Sequence, residues 1–230
     1  MKKIKFMAKD RQTYDLHEPP IPAISGLPQW YKDIPAYRDT QQKIFGRNGS
    51  TVKQCLPFFD AMTAGYLVTL PCDIAVTRIN GNLKVQWQPD MPLFDLENHE
   101  RAMGIPVPPH HDPTIWRMVT YPATIVPDGY SILITNPINR FELPFTTVTG
   151  FVDSDKLHGA LTVSMFFVGD FEGIIEKGTP VAQIIPIKRE SWQHEIVEPD
   201  EKYLAQNSFN LLSKMNRSYK NQFWNKKMYN

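Results

Sequence analysis

The sequence comprises 230 residues with a formal net charge of +1, and 42% of them are aliphatic, aromatic or sulfur-containing. This length and apolar content suit one all-β unit with a sizeable core. No stretch approaches about 20 apolar residues, and no apolar signal core follows the basic start, so we expect neither a membrane span nor a signal peptide. The 20 prolines outnumber the 12 glycines, which disfavours long helices because proline lacks the backbone N–H.

The small net charge hides a strong asymmetry between the ends and the body of the chain. Residues 1–11 carry +4, residues 202–230 carry +6, and residues 12–201 therefore carry −9. Basic ends of this kind could contact nucleic acid, or they could dock on the acidic body of the same or a neighbouring subunit. Because the tail interleaves its charges with apolar residues, we favour docking, and we expect no nucleic-acid or membrane partner.

The first 50 residues are predicted to form an extended N-terminal arm followed by a loop. Prolines recur too often in residues 17–37 for a helix or a central strand. This favours polyproline-like structure lying on a surface, with a short helical turn around Pro28–Asp33 as an alternative. Residues 38–50 are polar and glycine-containing, which is typical of a loop. The aromatic anchors of the arm would be Trp30, Tyr31 and Tyr37.

Residues 51–192 are predicted to form a β domain. Asn80-Gly81 is a strong signal for a two-residue hairpin turn, and alternating residues follow it. Residues 56–62 are compatible with one helical turn, and residues 89–114 are rich in loop signals. Short strands separated by turns recur at the spacing of a sandwich or barrel. The predicted strands are 66–70, 73–79, 83–87, 117–120, 130–135, 146–152, 160–167, 172–175 and 181–187.

Residues 193–230 form a basic, aromatic tail. Their apolar residues lie close to helical spacing, which predicts a terminal helix or a pair of turns over residues 203–224. The aromatic residues could stack on single-stranded nucleic acid, although packing on the domain or on a neighbouring subunit is favoured. The residues near helical spacing are Leu204, Leu211, Leu212, Met215, Tyr219 and Phe223. The aromatic residues considered for stacking are Tyr219, Phe223, Trp224 and Tyr229.

The stretch Pro127–Ile187 resembles the core of the dUTPase superfamily. In that family a strand leads to an Arg-Ser-Gly element, followed by a hairpin of the type Gly-Val-Ile-Asp-x-Asp-Tyr-x-Gly, a strand and a Gly-Asp-x-Ile-Ala-Gln element. Here Gly150-Phe-Val-Asp-Ser-Asp-Lys-Leu-His-Gly159 and Gly178-Thr-Pro-Val-Ala-Gln183 occur in the same order, and Thr63–Leu67 resembles the first motif, Ala-Gly-Tyr-Asp. The resemblance implies a mainly β, dUTPase-like barrel or sandwich with an extended N-terminal arm and a short C-terminal helix.

The family's functional residues carry over only in part. Asp153 matches the hairpin aspartate that orients the attacking water, and Gln183 matches the glutamine near the phosphates. The positions that would hold metal, phosphate and sugar depart from the pattern, and they are occupied by Leu67, Asn136-Pro137 and Lys156. The glycine-rich tail of the family is also missing. Because hydrolysis depends on positioned charge around a metal-held triphosphate, these departures argue against dUTPase activity.

Several segments also resemble a group of proteins encoded by bacteriophages, with relatives in bacteria. They are residues 27–32, 52–66, 136–145 and 178–190, so the resemblance covers most of residues 27–192. It implies a phage or environmental origin and a location in the host-cell cytoplasm or the virion. It implies no activity.

Two sets of polar residues, together with Gln183, are candidates for a ligand pocket. The first, on the predicted hairpin, could supply an Asp–His general base or could simply stabilise a turn. The second could form a pocket rim, a subunit contact or a plain turn. The first set is Asp153, Asp155 and His158, and the second is Asn136, Asn139 and Arg140.

Metal and disulfide sites find little support in the sequence. His110-His111-Asp112 is a weak metal candidate, because neighbouring histidines on a strand point to opposite faces and no third ligand stands at a supporting spacing. His99 or His158 could approach in space, but a polar surface loop is favoured, and we predict no metal and no cofactor. The two cysteines, Cys55 and Cys72, are read as buried thiols, with a bridge between them left open.

Two functions of different classes follow. Members of the dUTPase family commonly form trimers, so the resemblance implies a homotrimer in which the arm and the tail clasp neighbouring subunits. The preferred function is a non-enzymatic structural or assembly protein of a phage, with virion proteins as candidate partners. The alternative is a protein that binds or processes a nucleotide or another small ligand at a pocket between subunits.

Overall fold

The computed structural model describes residues 2–8, 10–16, 18–37, 49, 51–88, 93–96, 104–213 and 219–229. Most of the predicted loop 38–50 and the central part of the predicted loop 89–114 lie outside these ranges. So does Met215 of the predicted terminal helix, and nothing is described of the side chains of Leu211 and Leu212.

The described residues form antiparallel strands arranged in three sheets. The first sheet has the order β1-β7-β11-β9, with β6 also paired to β7; the second has the order β10-β8-β13-β3-β2, and the third has the order β12-β4-β5. The strands are β1 Lys5–Ala8, β2 Ile21–Pro22, β3 Tyr66–Thr69, β4 Ile74–Ile79, β5 Asn82–Gln86, β6 Phe94–Leu96, β7 His111–Ile125, β8 Tyr130–Thr135, β9 Phe145–Thr147, β10 Gly150–Val152, β11 Ala160–Val168, β12 Gly173–Ile175 and β13 Pro180–Lys188.

The mainly β fold predicted from the sequence is confirmed. In the part of the chain that the structure describes, however, no sheet closes on itself, so the barrel form of the prediction is not found. Strand β13 occupies the middle of the second sheet between β8 and β3, and its first five residues are all buried. A strand covered on both faces is apolar at consecutive positions rather than at alternating ones, and Val181–Ile187 is apolar at every position except Gln183.

The hairpin between β4 and β5 forms at the predicted dipeptide. Asn80 and Gly81 have φ values of 52° and 80°, and Ile79 pairs with Asn82 across the turn. Two consecutive residues with positive φ give the turn whose twist matches that of the flanking strands. The alternation on β5 then places Leu83 and Val85 in the core.

The N-terminal segment is more structured than the predicted polyproline arm. It contains a helix α1 at Arg11–Leu16, a 3-10 turn at Ala23–Gly26 and a helix α2 at Gln29–Asp33. Proline at the residue before α2 supplies a φ suited to a helix start, and this agrees with the alternative predicted there. The segment lies on the body, since the buried Tyr31 stacks on Phe58 and Phe59 of α3 (Leu56–Thr63).

The C-terminal part consists of a helix α4 at Glu201–Ser213 and a π-helical turn at Tyr219–Phe223. The last residues contact the body. Trp224 Nε1 donates to Asp60 Oδ2 at 2.8 Å, and Lys227 Nζ lies 2.6 Å from the same oxygen. Farther along, the Tyr229 ring meets the Tyr66 ring edge-on at 6.2 Å.

Within the described residues we find no helix with the length and hydropathy of a membrane span.

Cys55 and Cys72 are both free thiols, and Cys55 is exposed while Cys72 is buried. The interpretation of both as buried thiols is therefore wrong for Cys55, which lies at the N-terminus of α3 and not in a strand.

Candidate functional site

The candidate hairpin residues lie at one edge of the second sheet. Strand β10 pairs with β8, with Phe151 opposite Leu133 and Val152 opposite Ile132. The chain then turns, and the Asp153 carbonyl accepts hydrogen bonds from the backbone N–H groups of residues 156 and 157, both at 2.9 Å. The turn brings Asp153 and Asp155 against Arg189, the residue that follows β13.

Asp155 is buried and forms a bidentate ion pair with Arg189. Its side chain is fully buried; Oδ1 accepts from Arg189 Nη1 at 2.9 Å, and Oδ2 accepts from Nη2 and from the Gly129 backbone N–H at 3.0 Å. Bidentate pairs of this kind are among the stronger polar contacts in proteins. The hydrogen bond from Arg189, helped by that from Gly129, lowers the pKa of Asp155 well below its usual range.

Asp153 is more open, but one of its oxygens is already occupied. Asp153 Oδ1 accepts a hydrogen bond from Ser131 Oγ at 2.6 Å and lies 3.1 Å from Arg189 Nη1. The side chain is 63% exposed, so its second oxygen faces outwards. A carboxylate with an arginine and a hydroxyl on one oxygen is anchored to the fold, whatever its outer oxygen contacts.

His158 does not complete an acid–base pair with either aspartate. Its Nε2 lies 3.2 Å from the backbone carbonyl of Asp155. A general base needs its orienting carboxylate within hydrogen-bond reach of the ring, and the contact found here is to a main-chain oxygen. In this structure the hairpin residues form a network of ion pairs and hydrogen bonds around the turn.

The Asp155–Arg189 pair is expected to make the stability of the protein depend on pH. Because the folded pKa of Asp155 is depressed, its contribution is fully present above the unfolded value, about 3.9, and is lost as the pH falls through the folded value. We expect the urea midpoint of the wild type to exceed that of Asp155→Asn by a constant amount from pH 8 to pH 5 and to converge on it below about pH 4. Asp128→Asn, an exposed change on the preceding turn, is the control. A difference that grows in acid would contradict the prediction.

Gln183 is buried and its side-chain amide joins three backbone segments. Its Oε1 accepts from the Ile138 N–H at 2.9 Å, and its Nε2 donates to the carbonyls of Ala61 at 3.0 Å and Ala64 at 2.6 Å. Oε1 and both N–H groups of Nε2 are thus engaged. Gln183 ties the end of α3 to β13 and to the turn after β8, and we refer to this set of contacts as the Gln183 junction.

The candidate residues fall into two separate groups. Gln183 pairs with Thr135 at one end of β8, whereas Ser131, the partner of Asp153, pairs with Ile187 towards the other end. Four residues along a strand span about 13 Å. Within one chain the candidate residues therefore lie in two places, a hairpin group around Asp153 and a junction group around Gln183, and a pocket between subunits stays a prediction.

The second set of candidates also holds the fold. Asn136 Oδ1 accepts from the Thr147 N–H at 3.0 Å, which links the turn after β8 to β9 in the first sheet. Arg140 pairs with Glu142 and donates from Nη1 to the Gly26 carbonyl at 3.0 Å. Asn139 adopts a left-handed φ of 60°, a conformation that asparagine tolerates better than most residues. These contacts are those of a structural turn that also fixes the N-terminal segment.

The positions that depart from the dUTPase pattern have ordinary structural environments. Leu67 is buried in β3, where a carboxylate would need a partner, and Pro137 is buried after β8. Lys156 is exposed at the tip of the hairpin turn. None of the three offers a negative charge or a hydrogen-bonding side chain to a pocket interior.

The His110-His111-Asp112 motif spans the boundary between a turn and β7. His110 lies in the turn with a left-handed φ of 64°, and His111 and Asp112 begin the strand. His111 contacts the Pro109 carbonyl through Nδ1 and Thr146 Oγ1 through Nε2, both at 2.9 Å. Asp112 pairs with Arg78 at 2.9 Å. Burial raises the pKa of Asp112, but its hydrogen bonds with Thr114 and Arg78 outweigh burial and lower it overall. Across the described ranges no group of three or more His, Cys, Asp or Glu side chains is arranged to hold a metal.

Sequence reasoning missed three residues that organise these groups: Arg189, Arg78 and Asp60. Each is a single charged residue whose partner lies far away in the sequence, so no local pattern marks it. The available signal was burial, because an aspartate in a predicted turn of a mainly apolar segment needs a cationic partner. Asp155 and Asp112 both fit that description.

Comparisons with known proteins identify dUTPases among solved structures. A dUTPase of Staphylococcus bacteriophage 80alpha, solved with dUpNHpp, aligns with a TM-score of 0.37 and 13% identity over 87% of this chain and 90% of its own. A mutant dUTPase from phage phi11 of S. aureus aligns with a TM-score of 0.33 and 14% identity, over 60% of this chain and 85% of its own. No family model matches the chain, and no curated protein matches it.

The two solved structures just described are both dUTPases of phages. Their TM-scores are below 0.5 and their identities below 25%. The likeness therefore carries no argument about activity, ligand or assembly, and those questions rest on the chain's own residues.

Proposed function

We propose that the protein is a non-enzymatic structural or assembly protein that works as a homo-oligomer, with a trimer favoured. The observation that carries the proposal is the internal use of the candidate chemical groups. Asp155, Gln183 and Asn136 are each bonded to the chain's own arginine or backbone. Residues committed to holding the fold are not available to bind and release a substrate.

A second observation supports assembly. The segment after β13 is exposed throughout residues 188–206 and carries large apolar side chains that the described body does not cover. A large exposed apolar surface usually marks an interaction site. Burying it against a partner would stabilise the complex by about 25 cal/mol per Å² of apolar surface removed from water. The side chains, with their exposed fractions, are Trp192 85%, Ile196 93%, Val197 72%, Tyr203 64% and Leu204 53%, and Phe209 follows in α4 with 64%.

The assembly proposal is tested by light scattering on the full chain. We expect a mass of three times the 26.5 kDa of one chain, and we expect the double variant Trp192→Ser with Ile196→Ser to shift the species towards monomer. Phe141→Ser, which changes a side chain that is equally exposed at 85% but lies on the turn before β9, is the matched control. A wild type that stays monomeric at micromolar concentration would refute the proposal.

A phage setting fits this function, because the sequence resembles a group of phage proteins. The protein would then act in the host cytoplasm or as a part of the virion. Mass spectrometry of purified particles distinguishes the two.

Ligand binding between subunits is the second candidate. It is favoured by the outward-facing oxygen of Asp153 and by the exposed His158 on the same turn. A thermal-shift screen with nucleotides and divalent metals separates the two functions. A flat screen supports the structural function, whereas a rise in the unfolding midpoint that Asp153→Asn removes supports the ligand site.

A further inference from the structure

The two ends of the chain meet on either side of Tyr66. The Phe6 ring of β1 contacts the Tyr66 ring edge-on at 5.2 Å between centroids, and the Tyr229 ring contacts it at 6.2 Å. Residues 2–8 and 219–229 are therefore neighbours in space although they stand at opposite ends of the sequence. Each segment contains three lysines and no acidic residue, so the fold brings two basic segments close together, and their exposed side chains can form one surface.

The six lysines divide into two that are fixed and four that are open. Lys2 Nζ donates to the Tyr130 hydroxyl at 2.7 Å, and Lys227 is held by Asp60. The remaining four are exposed, and in the ranges that the structure describes no ion pair involves them. These are Lys3, Lys5, Lys220 and Lys226.

The aromatic side chains of the tail are divided in the same way. Trp224 and Tyr229 are anchored on the body through Asp60 and Tyr66. Tyr219 and Phe223, at the two ends of the π-helical turn, are 41% and 44% exposed. The Trp224 backbone N–H donates to the Tyr219 carbonyl at 2.9 Å, so the anchored part of the tail fixes the turn that presents the exposed rings. Within the described residues these two rings are not fully packed on the domain of their own chain, and packing on a neighbouring subunit stays a prediction.

We propose that this surface binds single-stranded nucleic acid. We call it the basic end surface and define it by Lys3, Lys5, Tyr219, Lys220, Phe223 and Lys226. The lysines would contact backbone phosphates while the two rings stack on unpaired bases, a combination typical of proteins that hold single strands without reading sequence. A duplex hides the faces of its bases, so only a single strand can use both parts of the surface. The proposal goes beyond the assembly function, because a structural protein of a phage could hold or protect a strand without chemistry.

The test measures fluorescence anisotropy of labelled single strands, oligothymidine and oligouridine of about 20 nucleotides, with the full chain. With four phosphates engaged, we expect the affinity to fall on the order of 50-fold between 50 mM and 200 mM salt. Lys220→Gln with Lys226→Gln is expected to weaken binding and to lower the slope of log affinity against log salt by about 1.4. The control pair Lys84→Gln with Lys156→Gln makes the same change in net charge at exposed lysines on β5 and on the hairpin turn, and leaves the slope unchanged.

Base stacking on Tyr219 and Phe223 is tested with a separate set of variants. Tyr219→Ala and Phe223→Ala are each expected to weaken binding by about 5-fold or more, and Tyr219→Phe should retain it. Both sites are exposed, so the unfolding midpoints of all three variants should match the wild type. Light scattering on the same variants keeps this test independent of the assembly proposal.

Three results would overturn the inference. The first is no anisotropy change at 50 mM salt. The second is binding to duplex as tight as to single strands and indifferent to the loss of both rings. The third is binding only to vesicles of anionic phosphatidylglycerol in phosphatidylcholine, which would assign the surface to a membrane.

Discussion

Replacing Gly65 with alanine is expected to remove a large part of the stability of the fold. Gly65 joins α3 to β3 with a φ of +68°, and a Cβ added there would lie 1.9 Å from the Ile184 carbonyl oxygen and 2.9 Å from its carbon. The left-handed conformation alone costs a non-glycine residue about 1–2 kcal/mol. The clash adds more, because the opposing atoms belong to the backbone of the central strand β13 and cannot rotate away.

We expect Gly65→Ala to lower the free energy of unfolding by at least about 4 kcal/mol, a loss reached by few single substitutions, from a total typically of about 5–15 kcal/mol. Urea titration followed by fluorescence measures it, and failure to obtain soluble folded protein is the extreme form of the same result. Gly178→Ala is the matched control. It has a φ of +84° with nothing within 4 Å of the added Cβ, so it should cost only the conformational part, about 1–2 kcal/mol. Equal losses for both variants would mean that the close approach to β13 has no energetic consequence.

Local sequence signals predicted the parts of the fold that local physics determines. Asn80-Gly81 identified the β4–β5 hairpin because the turn requires two residues with positive φ, and the side chains that prefer that conformation are few. The run Val181–Ile187, which is apolar except at Gln183, identified a buried strand because a strand covered on both faces has few polar side chains. In both cases the determining residues are neighbours in the sequence.

The start of β7 shows where local signals fail. Prolines in residues 106–113 predicted a loop as far as residue 114, yet β7 begins at His111 and contains Pro113. Proline in a strand is tolerated at a bulge, and the pairing of β11 with β7 shifts register between Phe166 and Val168, opposite this segment. A bulge depends on the partner strand more than 50 residues away, which residues 106–113 alone do not specify.

The sequence predicted which hairpin residues lie together, but it did not predict what their side chains contact. The sequence put Asp153, Asp155 and His158 on one turn, which is where they lie. It did not show that Arg189, 34 residues beyond Asp155, would occupy both carboxylates. Long-range pairs of this kind require the sheet order, and that order placed the end of β13 beside the turn. The same argument applies to Asp60 and Trp224, which are 164 residues apart.

Loss of the Gln183 amide is expected to destabilise the protein nearly as much as the Gly65 change. Gln183→Leu keeps the approximate volume but leaves the Ile138 N–H and the carbonyls of Ala61 and Ala64 without their partner. A buried backbone group left unsatisfied costs about 1–3 kcal/mol, and these three are partly buried. We therefore expect the free energy of unfolding, measured by urea titration, to fall by about 3–5 kcal/mol. Gln86→Leu, an exposed change on β5, should stay within about 0.5 kcal/mol of the wild type.

A second substitution separates hydrogen bonding from packing at the same position. Gln183→Glu retains an acceptor for Ile138 but turns a second oxygen towards the two carbonyls that the amide now serves. Ionised, that oxygen faces two acceptors; protonated, it can donate to one of them. Relative to the wild type at the same pH, Gln183→Glu should therefore be less destabilised at pH 4 than at pH 8. If Gln183→Glu and Gln183→Leu both matched the wild type at pH 4 and at pH 8, the junction would act through shape alone, and the amide's hydrogen bonds would contribute nothing to holding α3 on β13.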